Sequence, residues 1–163
     1  TPRSGSPRSC AGSTSGARPR PRSTAALTRA LRADGWEVVV TGGPGELRYA
    51  PPPAPGVTDL VGRTDLGTLA AVLAGAACVV VGNTGPAHLA AAVGTPVVSL
   101  FSPVVPAERW APYGVPSVLL GDQQAACRGT RARECPVPGH PCITGIGPGD
   151  VASAVRELVG VRV

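Results

Sequence analysis

The sequence predicts an α/β fold in which a parallel sheet carries helices on its faces. Short runs rich in Val, Leu and Thr alternate with segments whose apolar residues recur three and four positions apart, and Gly or Pro separates them. Continuous apolar runs of four to six residues are typical of strands buried on both faces. Strands that alternate with helices of about ten residues indicate parallel pairing through right-handed crossovers. At 163 residues the chain has room for one such domain.

The first 22 residues differ in composition from the rest of the chain. They are a low-complexity stretch of Ser, Gly, Pro and Arg. Such a stretch buries too little apolar surface to offset the entropy lost on ordering. We therefore predict a disordered segment over residues 1–22 and a folded domain over residues 23–163.

The first predicted helix and strand follow directly. Either Ser23 or Thr24 can cap the helix, and Asp34-Gly35 ends it. The β-branched run at 36–41 predicts a buried strand, which the glycine-rich turn at 42–45 breaks. The apolar positions of the helix are Ala26, Leu27, Ala30 and Leu31.

The middle of the chain repeats this alternation. A short strand is predicted at 57–61, followed by a helix that Thr64 or Asp65 caps and that ends at about Ala76. The apolar run at 78–81 predicts another buried strand. The residues expected to face the core from the helix are Leu66, Leu69, Ala70 and Leu73.

The remaining elements complete a Rossmann-like domain. A helix is predicted at 86–93 and closed by Gly94, and strands are predicted at 97–100 and 117–120. Pro148 opens a last helix, which ends at about residue 159. In such sheets the ligand lies at the carboxyl ends of the strands.

The joint between a strand and a helix at 81–92 carries the most chemistry. Pro86 suits the first turn of a helix, and the amides around it, with the helix dipole, can form a binding site for a diphosphate. Gly85 allows close approach, Thr84 offers a hydroxyl, and His88 lies in the first turn. A purely structural joint, with Thr84 as a cap and His88 as a surface residue, explains the same spacing.

A longer motif resembles one known family. The sequence NTGPAHLAAA at 83–92, followed by GTPVVSLF at 94–101, closely resembles the donor-site signature of the heptosyltransferases, glycosyltransferase family nine. The resemblance continues through PAERWAPY at 106–113 and the cysteine-bearing segment 133–142. It covers roughly residues 24 to 160.

The resemblance implies an architecture of two Rossmann-like domains, called GT-B. In that family the C-terminal domain holds a nucleotide diphosphate sugar, typically ADP-heptose, and the N-terminal domain holds a glycan or lipid-linked acceptor and a carboxylate base. Transfer inverts the anomeric centre and needs neither a metal nor another cofactor. The chain is thus expected to be the donor-binding half of a glycosyltransferase, without a catalytic residue of its own, and inactive without the missing acceptor domain. A non-catalytic nucleotide-binding module, or the remnant of a truncated gene, is the alternative. Separately, the unpaired spacing of the five cysteines and the lack of an apolar signal core predict a cytoplasmic location.

The resemblance also implies which residues bind the donor. Thr84, Gly85 and His88 would contact its diphosphate, and Glu46 would accept hydrogen bonds from the ribose hydroxyls unless it is only a solvated loop acid. Asn83 stands where many members have Asp, so it brings hydrogen-bonding capacity but no charge. The full donor-binding set is Glu46, Asn83, Thr84, Gly85 and His88. The glycine that follows Phe101 in the family is Ser102 here.

The charge of the chain does not predict a nucleic-acid partner. The net charge is +5, but seven of the fifteen arginines precede the first acid, Asp34, and the rest of the chain has eight arginines against ten acids. No apolar run reaches the roughly 18 residues of a membrane span. We therefore expect no nucleic-acid binding and no transmembrane segment.

Two further features allow alternatives. Cysteine and histidine in the segment 127–142 are zinc ligand types, but they lack a close Cys-x-x-Cys pair, so we predict a structural loop and no metal. Trp110 either stacks on a base or sugar or packs the proline-rich loop around it; packing is the more common role of such a residue. The four possible zinc ligands in the segment 127–142 are Cys127, Cys135, His140 and Cys142.

Overall fold

A computed structural model describes residues 9–13 and 21–160 and shows a six-stranded parallel sheet between two layers of helices. The strands are β1 (Ser9–Ser13), β2 (Glu37–Gly42), β3 (Val57–Val61), β4 (Cys78–Gly82), β5 (Val97–Leu100) and β6 (Ser117–Leu120). The helices are α1 (Pro21–Ala33), α2 (Leu66–Ala74), α3 (Gly85–Ala92), α4 (Ala107–Trp110), α5 (Pro141–Thr144) and α6 (Pro148–Gly160), with a 3₁₀ helix at Pro44–Tyr49. The predicted Rossmann-like α/β fold is confirmed.

The strand order is β3-β2-β1-β4-β5-β6, with every neighbouring pair parallel. From β1 the chain adds β2 and then β3 on one side of the sheet. It then crosses to the other side of β1, where it adds β4, β5 and β6 in turn. The order therefore reverses between β1 and β4. Open α/β sheets bind ligands in the crevice outside the carboxyl ends of the strands at such a switch point.

The predicted disorder of residues 1–22 is wrong for Ser9–Ser13. These five residues form β1, which pairs with β2 on one side and β4 on the other. Their small and polar side chains carry no strand signal, and the strand is instead defined by backbone hydrogen bonds to two neighbours that are distant in sequence. Helix α1 also begins at Pro21, inside the segment predicted to be disordered. Residues 1–8 and 14–20 lie outside the described residues.

The two faces of the sheet have separate apolar cores. Alternate residues of β4 point to opposite faces. Cys78 and Val80 pack on the side of α1 and α6, whereas Val79 and Val81 pack on the side of α2 and α3. An ion pair between Arg156 of α6 and Asp34, just beyond α1, joins the two helices of the first layer.

Most predicted elements occur within two residues of their expected bounds, but only one of the four residues expected to face the core from α2 is fully buried. Asp65 caps α2 by accepting a hydrogen bond from the Thr68 amide, and this bond lowers the pKa of Asp65. Leu73 of α2 is buried, whereas Leu66 is 72% exposed. Leu66 is the first residue of α2, where the chain has only begun to approach the sheet. The short helices α4, α5 and the 3₁₀ helix lie in segments expected to be loops, because four to six residues are too few for a periodic signal.

The long connection between β6 and α6 has a small core of its own. It comprises Ala125, Cys127 and Cys142, all buried. Burial raises the pKa of the Cys127 thiol, and its hydrogen bond with Cys142 raises that pKa further. Gly121 starts this connection with φ +134°, where an added Cβ would lie 2.6 Å from the carbonyl oxygen of Phe101. Only glycine satisfies both conditions.

Candidate functional site

The junction between β4 and α3 lies at the carboxyl edge of the sheet, beside the switch point. Strand β4 ends at Gly82, and α3 begins at Gly85 after two connecting residues. Neighbouring β1 ends at the same edge because the strands are parallel. The structure therefore places four of the five predicted donor-binding residues, Asn83, Thr84, Gly85 and His88, where this fold binds ligands.

Asn83 holds this junction in place through two hydrogen bonds. Its side-chain amide donates to the Ser102 carbonyl, and its side-chain oxygen accepts from the Ser102 amide, both at 3.3 Å. An ionised aspartate accepts but cannot donate, so only one of these bonds would survive with Asp at this position. The two positions at which the sequence departs from the family signature, 83 and 102, thus contact each other. Asn83 connects the β4–α3 junction to the segment after β5.

The start of α3 offers fewer donors than the sequence predicted. Pro86 has no N–H, and the Ala87 amide donates to the Thr84 carbonyl at 2.9 Å. Among the described residues, none accepts from the Gly85 amide. The Thr84 hydroxyl makes no cap bond and has only a long contact, 3.4 Å, with the Gly82 carbonyl. Thr84 is the N-cap residue of α3 by position, but its side chain does not supply the cap hydrogen bond that the purely structural alternative required.

An open cleft of about 730 Å³ adjoins the first turn of α3. It is lined by His88, Val105, Pro106, Arg109, Trp110 and Arg131. The His88 and Trp110 rings meet edge to face, with their centroids 6.4 Å apart. The volume lies within the range of small-molecule sites, about 300–1,000 Å³.

The two arginines of the cleft come from separate segments and were not assigned to a site from the sequence. Arg109 lies in α4, whereas Arg131 lies in the long connection after β6. Two backbone hydrogen bonds of 2.8 Å, from Gly129 to Pro103 and from Arg131 to Val104, join the segments. Arg131 also has φ +54°, a left-handed conformation that is costly for a residue with a Cβ. Residues in such conformations concentrate at functional sites.

Trp110 lines this cleft together with Val105 and Pro106 of the proline-rich loop. Its side chain is 51% exposed, and Tyr113, three residues later, is 91% exposed. Packing against the proline-rich loop leaves about half of the Trp110 side chain exposed. Trp110 is available to stack on a ligand.

Glu46 lies after β2, in the 3₁₀ helix, and is separated from the β4–α3 junction by β1. Two strand spacings amount to about 10 Å. One carboxylate oxygen of Glu46 accepts a hydrogen bond from the Gly43 amide at 2.8 Å. The carboxylate therefore has a local structural role at the end of β2.

The residues considered as zinc ligands are not gathered into one site. Among the described residues no group of three or more His, Cys, Asp or Glu residues is arranged to hold a metal ion. Cys127 and Cys142 are buried together, the Cys135 thiol donates to the Val137 carbonyl at 3.0 Å, and His140 precedes α5 with an exposed side chain. No helix in the part of the chain that the structure describes has the length and apolarity needed to cross a bilayer.

The family model of glycosyltransferase family 9 (heptosyltransferase) matches residues 22–140, well over half of the chain. The chain belongs to this family. The matched range contains every strand from β2 onward, the β4–α3 junction and the whole cleft. No curated protein gives a significant match.

Solved structures of family 9 enzymes share the fold. A family 9 glycosyl transferase from Veillonella parvula has a TM-score of 0.76 at 19% identity, covering 93% of this chain and 46% of its own. E. coli ADP-heptose LPS heptosyltransferase II has a TM-score of 0.72 at 19% identity, with coverages of 95% and 47%. E. coli heptosyltransferase WaaC with ADP has a TM-score of 0.65 at 23% identity, with coverages of 90% and 43%. The chain spans slightly less than half the length of these proteins.

Proposed function

We propose that this chain is the nucleotide-sugar-binding half of a family 9 glycosyltransferase. It would bind an ADP-heptose-like donor for inverting transfer to a glycan or lipid-linked acceptor, in the cytoplasm. The observation that carries the proposal is the β4–α3 junction at the switch point, where the Gly85 amide and the Thr84 hydroxyl have no strong described partner. Family membership adds the chemistry, since family 9 is named for heptosyl transfer.

The donor would lie across the carboxyl edge of the sheet. The diphosphate would accept hydrogen bonds from the Gly85 amide and the Thr84 hydroxyl at the positive end of α3. His88 would face the same phosphates from the first turn of the helix. The ribose hydroxyls would donate to Glu46, whose ionised carboxylate accepts several bonds at once. No step of this binding calls for a metal ion.

The proposal assigns binding, and not the transfer step, to these residues. Transfer needs a base that takes the acceptor proton, which contributes roughly 10² to 10⁴-fold, and it needs the acceptor held against the donor. The acids near the carboxyl edge already serve the fold: Glu46 bonds to Gly43, Asp59 to the Val61 amide at 2.9 Å, and Asp65 caps α2. We propose that the base and the acceptor site are supplied by a second domain outside these 163 residues.

Nucleotide binding is tested by thermal shift with ADP, UDP, GDP and CDP and with free sugars. At a hundred-fold excess over Kd a ligand that binds only the folded state stabilises it by about 2.7 kcal/mol, so one of the diphosphates should raise Tm by several degrees. Free sugars should give no shift, and EDTA should not abolish the nucleotide shift. The proposal fails if no nucleoside diphosphate raises Tm, and a strict need for Mg²⁺ or Mn²⁺ would contradict the metal-free phosphate site.

The two histidines of the chain provide a matched control. His88→Asn should weaken nucleoside diphosphate binding about ten-fold, because it removes a partner of the phosphates. His140→Asn should not, since His140 lies outside the site, and asparagine tolerates the left-handed backbone there, φ +54°. Equal effects of the two substitutions would remove His88 from the site.

A non-catalytic nucleotide-binding module is the second candidate, and the engagement of the nearby acids in local hydrogen bonds is the observation that favours it. The two are separated by adding the N-terminal half of a related family 9 enzyme as a separate chain. Acceptor-dependent release of nucleoside diphosphate would support the glycosyltransferase. Binding without any such release, in a mixture whose two halves associate, would support the module. Release by the 163 residues alone would contradict our assignment of the base to another domain.

A further inference from the structure

The connection between β6 and α6 holds two cysteines in one small core. Cys127 is 0% exposed and Cys142 is 4% exposed, and both pack in the cluster with Ala125. Their thiols are hydrogen-bonded to each other. A covalent bond between the two sulfurs would therefore join groups that already meet, and it would close a loop over residues 127–142.

Cys142 also contacts the segment after β5. Its sulfur lies 3.6 Å from the Ser102 hydroxyl. The backbone of Ser102 in turn exchanges two hydrogen bonds with the side chain of Asn83, at the β4–α3 junction. Only Ser102 therefore separates one sulfur of the pair from the residue that holds this junction in place.

Cys127 lies close in sequence to the wall of the cleft. Its carbonyl accepts a hydrogen bond from the Thr130 hydroxyl at 2.7 Å. The next residue, Arg131, lines the cleft and donates its backbone amide to the Val104 carbonyl at 2.8 Å. The cysteine pair is thus connected to both parts of the candidate site, to the junction through Ser102 and to the cleft through Arg131.

Little structure covers these two thiols. All residues from 128 to 141 are exposed or only partly buried. A segment with so few buried apolar contacts opens locally at a lower free energy than the main core. Burial raises the pKa of the Cys127 thiol, which keeps it protonated and slow to react while the connection is closed. A small oxidant such as hydrogen peroxide should therefore reach the pair when the connection opens.

We infer that Cys127 and Cys142 form a reversible disulfide that couples the redox state of the chain to nucleotide binding. Hydrogen peroxide oxidises one thiol to a sulfenic acid and is itself reduced to water. The second thiol attacks the sulfenic sulfur, forms the S–S bond and gives up its proton, which leaves with the hydroxide as a second water. Two thiols and one peroxide thus yield one disulfide and two waters, and a dithiol reductant reverses the reaction.

The disulfide acts on the junction through Ser102. When the sulfur of Cys142 bonds to Cys127 it loses its proton and moves toward its new partner, so its contact with the Ser102 hydroxyl is lost. Ser102 then supports Asn83 less firmly, and nucleotide affinity falls. This coupling rests on the proposed function, because it takes the nucleotide to bind at the β4–α3 junction. In reducing compartments such disulfides are transient and often sense oxidants.

The first measurement maps the disulfide in the full chain. The chain is treated with hydrogen peroxide or with dithiothreitol, its free thiols are blocked, and it is digested with trypsin. Cleavage after Arg128 and Arg133 places Cys127 and Cys142 on different peptides. Mass spectrometry should find these peptides joined after peroxide and separate after dithiothreitol. Cys135 shares the peptide of Cys142, so the matched control is Cys135→Ser, which should form the same link.

The second measurement is calorimetry with the nucleoside diphosphate that binds best. The oxidised chain should bind it about three-fold more weakly than the reduced chain, the loss expected when one weak hydrogen bond is removed. Cys127→Ala and Cys142→Ala each keep an apolar residue in the small core, and their affinity should not respond to peroxide. Cys135→Ser should respond as the unmodified chain does.

The inference is refuted if peroxide produces no link between Cys127 and Cys142, if it joins either of them to another cysteine instead, or if the oxidised and reduced chains bind the diphosphate equally. Failure of every diphosphate to bind the reduced chain would refute the proposed function and the coupling together. Diphosphate binding that ignores the mapped disulfide would refute the coupling alone.

Discussion

The ends of β2 and β4 both carry residues of the predicted donor site, but the fold uses them differently. After β2, the Glu46 carboxylate closes its own turn through the Gly43 amide. After β4, Asn83 is occupied with Ser102, whereas the Gly85 amide and the Thr84 hydroxyl retain capacity to bind. A polar residue at a binding edge can thus serve either the local backbone or a ligand. The hydrogen bonds of each residue, more than its position in a motif, indicate which.

Gly85→Ala should produce the largest effect of the substitutions considered, a loss of nucleoside diphosphate affinity without a loss of stability. An added Cβ at Gly85 meets no atom within 4 Å, and the residue has no left-handed backbone, so the fold does not require glycine there. Alanine would favour the helix. The methyl group would instead obstruct the phosphate, and we expect nucleoside diphosphate affinity to fall about thirty-fold, or about 2 kcal/mol.

This result is checked by calorimetry, together with Tm in the absence of ligand. Gly45→Ala is the control, since Gly45 also meets nothing within 4 Å and lies in the 3₁₀ helix after β2. Unchanged affinity in Gly85→Ala would show that no ligand approaches the start of α3 closely.

Asn83→Asp should lower stability by about 1–2 kcal/mol, because it removes the donor to the Ser102 carbonyl and places a carboxylate near that oxygen. Denaturant unfolding measures the change. Asn83→Ala removes both bonds and should cost a similar amount. If Asn83→Asp is as stable as the unmodified chain, the two bonds to Ser102 do not hold the junction.

Glu46→Gln should weaken nucleoside diphosphate binding about five-fold, or about 1 kcal/mol. Glutamine can still accept from the Gly43 amide, as in a capping box, so stability should change little. The substitution removes the negative charge that strengthens hydrogen bonds from the ribose hydroxyls. Calorimetry with the diphosphate and with the same nucleotide lacking the ribose 2′-hydroxyl checks this. A purely local role for Glu46 would be indicated by equal affinities in the variant and the unmodified chain.

Asp65→Ala should have the smallest effect, a fall in Tm of a few degrees without loss of nucleotide binding, because it removes the cap of α2. The hydrogen bond from Thr68 lowers the pKa of Asp65 in the folded chain. A lowered folded pKa stabilises the fold above the unfolded value, near 4, and this contribution disappears as the pH falls through the folded pKa. The difference in Tm between variant and unmodified chain should therefore be present at pH 7 and vanish in strong acid. A difference that grows on acidification would contradict the cap.

The sequence by itself determined which local elements form and which family signature they carry. Apolar runs at 78–81 and 97–100 have no other stable place than the middle of a sheet, and Asp65 marks a helix start by short-range chemistry. Because the strand at 78–81 and the helix after it are both defined by short-range patterns, the residues at 83–88 could be assigned to one strand–helix junction at the carboxyl edge.

Only the tertiary structure decided the rest, because it depends on contacts between residues distant in the chain. Ser9–Ser13 become a central strand through hydrogen bonds to β2 and β4, which no local propensity records. Asn83 meets Ser102 nineteen positions away, and Arg131 reaches the cleft through bonds to the segment after β5. Local sequence specifies backbone conformation and burial over a few residues. The pairing of distant segments follows from how the strands and helices pack together, and at this site that pairing determines which polar groups remain available to a ligand.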